Sequence, residues 1–212
     1  MLLFALEQGP EFAAKAAESS LLGAVSLSAF CLMYTHVARH YNWIISLISG
    51  WICFGGVTYL LQKIPGIWWL NTVAALLAIR LALALMPTSN SPLLPRTIRA
   101  GDIPARMIAT AILVIALTEA AAGLGSHVSG LLTPFPVVTS VIAVFAQRDQ
   151  GFPGALRTLQ GLLASMSAYV VFCVIVSLTL VRYGIFSAFA WAVIANVTVL
   201  FLALARLRRR GE

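Results

Sequence analysis

Apolar runs close to twenty residues long follow one another along this chain, at roughly 20 to 38, 43 to 61, 67 to 86, 105 to 124, 128 to 146, 156 to 180 and 186 to 205. A helix rises 1.5 Å per residue and a bilayer's hydrocarbon core is about 30 Å thick, so about twenty apolar residues make one crossing. Burial in a soluble core does not require that length. Composition agrees, since 60% of the 212 residues are hydrophobic and 10% charged, against about 25% charged in soluble domains. The sequence therefore predicts an all-α fold, a polytopic membrane bundle of about seven transmembrane helices.

Arginine and lysine test that count, because positively charged loops stay in the cytoplasm whereas acidic residues matter little. The loops after odd-numbered spans, with the C-terminal tail, hold Arg39, Arg96, Arg99, Arg106, Arg148, Arg157, Arg206, Arg208, Arg209 and Arg210. The other side holds Lys15, Lys63 and Arg182. Ten and three, with the intramembrane Arg80, make up the fourteen basic residues. A six- or eight-span arrangement would scramble that split, so the N-terminus is expected outside and the C-terminus in the cytoplasm of a multi-pass protein. The net charge of +7 then reads as a topology signal rather than a nucleic-acid surface. Tyr41, Trp43, Trp68, Trp69 and Tyr183 fall where interfacial aromatic anchors are expected.

Residues 1–19 lack the basic start and cleavage site of a signal peptide, and are expected to be retained as a segment along the interface, interrupted by Pro10. Residues 20–86 form a three-helix unit. Residues 87–104, with Pro87, Pro92, Pro95 and Pro104, make an extended connector. Residues 105–212 make a four-helix unit with the basic tail. Span two carries Gly55 and Gly56, and span five carries Pro134 and Pro136, in stretches offset by 80 positions. If spans one to three match spans four to six, the odd number of helices per unit makes the units oppositely oriented, an inverted 3+3 repeat plus one helix. Paired interrupted helices point to a central solute site in such transporters.

The chemistry of that site follows from proline. Pro134 and Pro136 each remove a backbone donor, free a carbonyl one turn earlier, and push Thr133 and Phe135 away from helical angles. A half-helix starting near Val137 would present unpaired amides beside Thr139 and Ser140, and such an end attracts anions. Gly55, Gly56, Thr133, Pro134, Phe135, Pro136, Thr139 and Ser140 are therefore the candidate binding residues. A plain proline kink and close helix packing at Gly50, Gly55 and Gly56 are the structural alternatives.

Arg80 and Glu119 lie within apolar spans, where charges usually mark pathways or pairs. They differ in depth by roughly 12 Å in the alternating arrangement, too far for a simple pair. Arg80 either snorkels to the cytoplasmic interface or binds an anion. Glu119 either carries a coupled proton or makes a structural hydrogen bond with Thr118, Thr110 or His127. His36 and His40 share a helix face without a third ligand, so they read as an interfacial cluster and no metal is expected. Cys31, Cys53 and Cys173 read as buried small hydrophobes, Gln147, Arg148, Asp149 and Gln150 as a solvated helix end, and Asn196 as a helix contact.

The stretch from Gly130 to Leu180 resembles the GlpM-like family of small bacterial inner-membrane proteins. The matching residues are Gly130, Leu131, Phe135, Pro136, Arg148, Gly151, Ala155, Leu156, Arg157 and Thr158. The chain departs from it in Thr133-Pro134 and in three additional N-terminal spans. The resemblance covers about half the chain and implies a bacterial inner-membrane location. It brings no catalytic residues, and its association with envelope polysaccharide is the basis for one functional alternative.

No phosphate loop, metal-ligand spacing or nucleophile within a triad is present, so an enzyme is not expected, nor is any cofactor. The expected partners are the lipid bilayer and a small solute, with a second copy or another membrane protein also admitted, and no nucleic acid. The favoured function is a small-solute transporter or exporter with a midplane site at the paired helix breaks, proton coupling through Glu119 being one variant. The alternative is a non-catalytic accessory or scaffold protein of an envelope polysaccharide or lipid pathway.

Overall fold

The structure, a computed structural model, describes residues 5–6, 9–61, 67–89, 104, 106–108, 110–115 and 136–209. The described elements are all α-helical: α1 (Pro10–Ala38), α2 (Trp43–Leu61), α3 (Trp68–Leu85), the short apolar α4 (Arg106–Ile115), and α5 (Val137–Arg209). Four of these, all but α4, are long and apolar enough to cross a membrane. Separate helices thus number five among the described residues rather than seven.

The reason lies in α5. As a straight rod its 73 residues would reach about 110 Å, yet Asn196 Nδ2 donates to the carbonyl of Ala168 at 3.1 Å and the rings of Phe172 and Phe189 lie 6.1 Å apart. The segment doubles back at Gly184, which has φ +78°. It turns again at Gly151, φ +68°, where a Cβ on Gly154 would lie 2.8 Å from the carbonyl oxygen of Ala146. Left-handed backbone is open to glycine without steric penalty, so each reversal needs one residue and no loop. Three helical arms, 137–150, 152–183 and 185–209, result.

Pro10 does not break a helix but opens α1, at the first helical position, where the missing N–H has no intrahelical acceptor anyway. Residues 10–19 therefore belong to the same helix as the first span, whose apolar stretch long enough to cross a membrane is Ala16–Ala38. The chain forms two compact units that do not follow the proline connector: residues 1–25, 64–80 and 163–212 in one, 26–63 and 81–162 in the other. In the first unit, Ala13 and Ala17 of α1 pack with Val176, Leu180, Ala188 and Ala192, so small residues let α1 approach the last hairpin closely. In the second, α2 buries Ser46, Gly50, Phe54 and Thr58 along one stripe at four-residue spacing. Gly50 is required there, because a Cβ would lie 2.8 Å from the ring of Phe30 on α1.

Candidate functional site

The polar contacts of the second unit form two layers. The deeper one joins α2 to the 137–150 arm. Trp51 Nε1 donates to Ser140 Oγ at 2.9 Å. Ser140 is 1% exposed, and Thr139 and Pro136 beside it are buried. The arm's first helical bond runs from the Ser140 amide to the Pro136 carbonyl, 2.8 Å. Pro136 is therefore the cap, and the amides of Val137, Val138 and Thr139 have no acceptor within the helix. Proline suits this position, since it needs no backbone donor ahead of the first helical bond.

Register along the two helices is fixed at a second point. The Arg148 guanidinium lies over the Trp43 ring, 5.8 Å from its centroid. From Trp43 to Trp51 is eight residues forward, and from Arg148 to Ser140 eight back, so α2 and the arm run antiparallel in step. The same step sets Phe54 level with Val137, and Thr58 about 6 Å beyond it. Phe54 is 1% exposed, and the buried Thr58 Oγ1 has no hydrogen-bond partner. Ser140, the first turn of the arm and Thr58 thus place polar groups along an otherwise apolar interface.

The second layer sits at the arm's other end. Gln147 Oε1 accepts from the Tyr34 hydroxyl at 2.7 Å, and Gln147 Nε2 donates to the Tyr41 carbonyl at 3.2 Å. Arg148 covers Trp43. Asp149 Oδ2 takes Arg106 Nη2 at 2.7 Å, and the Arg106 guanidinium also lies 4.9 Å from the centroid of Phe145, one turn before Asp149. The end of α1, the starts of α2 and α4 and the end of the arm meet here, the ends that a strictly alternating passage brings to one side. Local spacing gave no sign of these contacts: Gln147 to Asp149 read as a solvated helix end, and each has a distant partner.

Of the expected binding residues, Pro136, Thr139 and Ser140 come together. Thr133, Pro134 and Phe135 lie outside the described residues, as does Glu119 with Thr118 and His127. Gly55 and Gly56 require a correction. They do not break α2, which runs without interruption from Trp43 to Leu61. Both are exposed, and a Cβ on either would meet nothing within 4 Å. Glycine lowers helix stability by about 1 kcal/mol relative to alanine, and in lipid no water competes for the backbone bonds, so the helix persists. On α2 the polar side chains that face the arm's start are instead Trp51, which bonds Ser140, and the buried Thr58.

Arg80 is exposed on α3 beside exposed Leu77 and Leu81, away from buried Ala75, Ile79 and Ala82. Its guanidinium therefore stands on an outer, apolar face of the helix rather than in the packed one. His36 and His40 are exposed, with His36 Nδ1 2.9 Å from the Leu32 carbonyl. Among the described residues no three His, Cys, Asp or Glu side chains are grouped to hold a metal ion. Cys31 and Cys173 are buried thiols, and Cys53 Sγ lies 3.8 Å from the Ala29 carbonyl. No known family model, curated protein or solved structure matches this chain.

Proposed function

We propose that the chain is a multi-pass inner-membrane transporter of a small solute, which binds where the 137–150 arm begins. The observation that carries this reading is the Trp51–Ser140 hydrogen bond beside a buried helix start within an apolar segment. With the indole N–H given to Ser140, the Ser140 hydroxyl proton, the amides of the helix start that have no acceptor within the helix and the unpartnered Thr58 hydroxyl offer mostly donors, so the favoured solute is an anion or carries strong acceptors. On this reading the arms of α5 are three crossings, α4 begins another, and the total is seven, with the N-terminus outside and the C-terminus in the cytoplasm. The ten-to-three arginine and lysine split supports that orientation. Glu119 is the proposed proton-coupling group.

The test is solute-induced thermal stabilisation of the purified protein with small anions, amines, sugars and lipids. A saturable shift from an anion, weakened in Ser140→Ala and in Trp51→Phe, supports the site, and a shift dependent on pH in wild type but not in Glu119→Gln supports coupling. No shift from any solute, with a membrane protein co-purifying, favours the second reading.

That second reading is an accessory protein of an envelope polysaccharide or lipid pathway. The exposed Gly55 and Gly56, flanked by exposed Ile52 and Tyr59, favour it, because a face without side chains lets another helix approach closely. The likeness of residues 130–180 to the GlpM-like family points the same way.

A further inference from the structure

Three consecutive residues, Gln147, Arg148 and Asp149, bind three other chain segments, and we propose that this run is a reversible latch closing one end of the second unit over the Trp51–Ser140 layer. The inference rests on the transport reading and adds its gate.

The contacts of the run reach three pieces of chain: Gln147 holds Tyr34 on α1, Gln147 and Arg148 meet the Tyr41 carbonyl and the Trp43 ring at the start of α2, and Asp149 pairs with Arg106 on α4. Static packing of a helix end would be served by apolar contacts. Here the contacts are polar and partly wet, the Arg106 and Asp149 side chains keeping 26% and 25% of their exposure. Pairs of that kind are individually weak and exchange readily with water. The Arg106 guanidinium is held between Phe145 and Asp149, one turn apart on the arm, while its Nε is buried without a partner. That strand of the latch is thus incompletely satisfied, as a contact meant to open would be. Directly after Asp149 and Gln150 comes the left-handed Gly151, where the chain reverses. Four residues before Arg148, Val144 is 9% exposed and lies one turn from Ser140 on the same face. Opening the run would uncover Val144 before the deeper layer.

The test uses the full chain in sealed vesicles, with Cys31, Cys53 and Cys173 replaced by alanine and Val144→Cys as reporter. A membrane-impermeant maleimide is added on the side where Asp149 lies. Labelling is expected to be slow with the run intact, at least tenfold faster in Asp149→Asn and in Arg106→Gln, and slow again in the exchanged pair Arg106→Asp with Asp149→Arg. The readout involves no solute, so it stands or falls separately from transport. Rapid labelling with the run intact would overturn the latch. So would unchanged labelling in Asp149→Asn accompanied only by a lower Tm, which marks fixed packing.

Discussion

The Trp51–Ser140 hydrogen bond permits the sharpest quantitative check. Replacing Trp51 by Phe removes the indole donor 2.9 Å from Ser140 Oγ and leaves a hydroxyl on a residue that is 1% exposed. Hydrogen bonds between membrane helices average about 0.6 kcal/mol and reach about 1.7 kcal/mol. A buried hydroxyl deprived of its partner costs about 1–3 kcal/mol, but Ser140 stands one turn after the Pro136 carbonyl and can turn back to it, which recovers part. Trp51→Phe is therefore expected to destabilise by about 1–2 kcal/mol, with some lost packing included, and Ser140→Ala by about 1 kcal/mol. The double variant should be less destabilised than the sum by about 1 kcal/mol. Equilibrium unfolding in mixed micelles, for all four proteins of the cycle, measures that coupling. A coupling below about 0.3 kcal/mol, the scatter of independent sites, would mean that the two helices are not joined here and would remove the basis of the proposed site.

Further outcomes follow from other positions. Gly50→Ala should destabilise by about 1–3 kcal/mol, since the new methyl overlaps the Phe30 ring; Gly50→Ala combined with Phe30→Leu, measured by the same unfolding, should recover most of it. Gly55→Ala and Gly56→Ala, with open space around both, should be neutral or stabilise by up to about 1 kcal/mol through helix propensity, and a clear loss would show that this face is occupied. Asn71 is 1% exposed with neither amide atom hydrogen-bonded, so Asn71→Leu should raise Tm, corresponding to about 1–3 kcal/mol. A fall in Tm would mean that the amide holds a water or a solute. Gly184→Ala, at φ +78°, should lower stability by about 1–2 kcal/mol, read from the unfolding midpoint.

The helices that are legible in the sequence are those fixed by apolar length and interfacial aromatics. The second and third spans, read as 43 to 61 and 67 to 86, are Trp43–Leu61 and Trp68–Leu85, because the polar turns and tryptophans leave the chain little choice of boundary. Val137 as a helix start was equally legible, since Pro136 dictates it. Gly55 and Gly56 were not, because glycine marks a break in water more reliably than in lipid, where the backbone has no other partner. Nor was the role of Trp51 and Gln147. Their partners Ser140 and Tyr34 are 89 and 113 positions away, and no local periodicity encodes which distant helix a side chain will meet.

The single-residue reversals also constrain how this protein can move. With only Gly184 between them, the arms 152–183 and 185–209 are joined by a short tether, so their facing ends stay within a residue of each other. The Asn196–Ala168 and Phe172–Phe189 contacts hold the same hairpin from inside. Within residues 163–209 a displacement of one side of this hairpin is therefore resisted at the turn and at both contacts together, so the two sides are coupled at three points along their length.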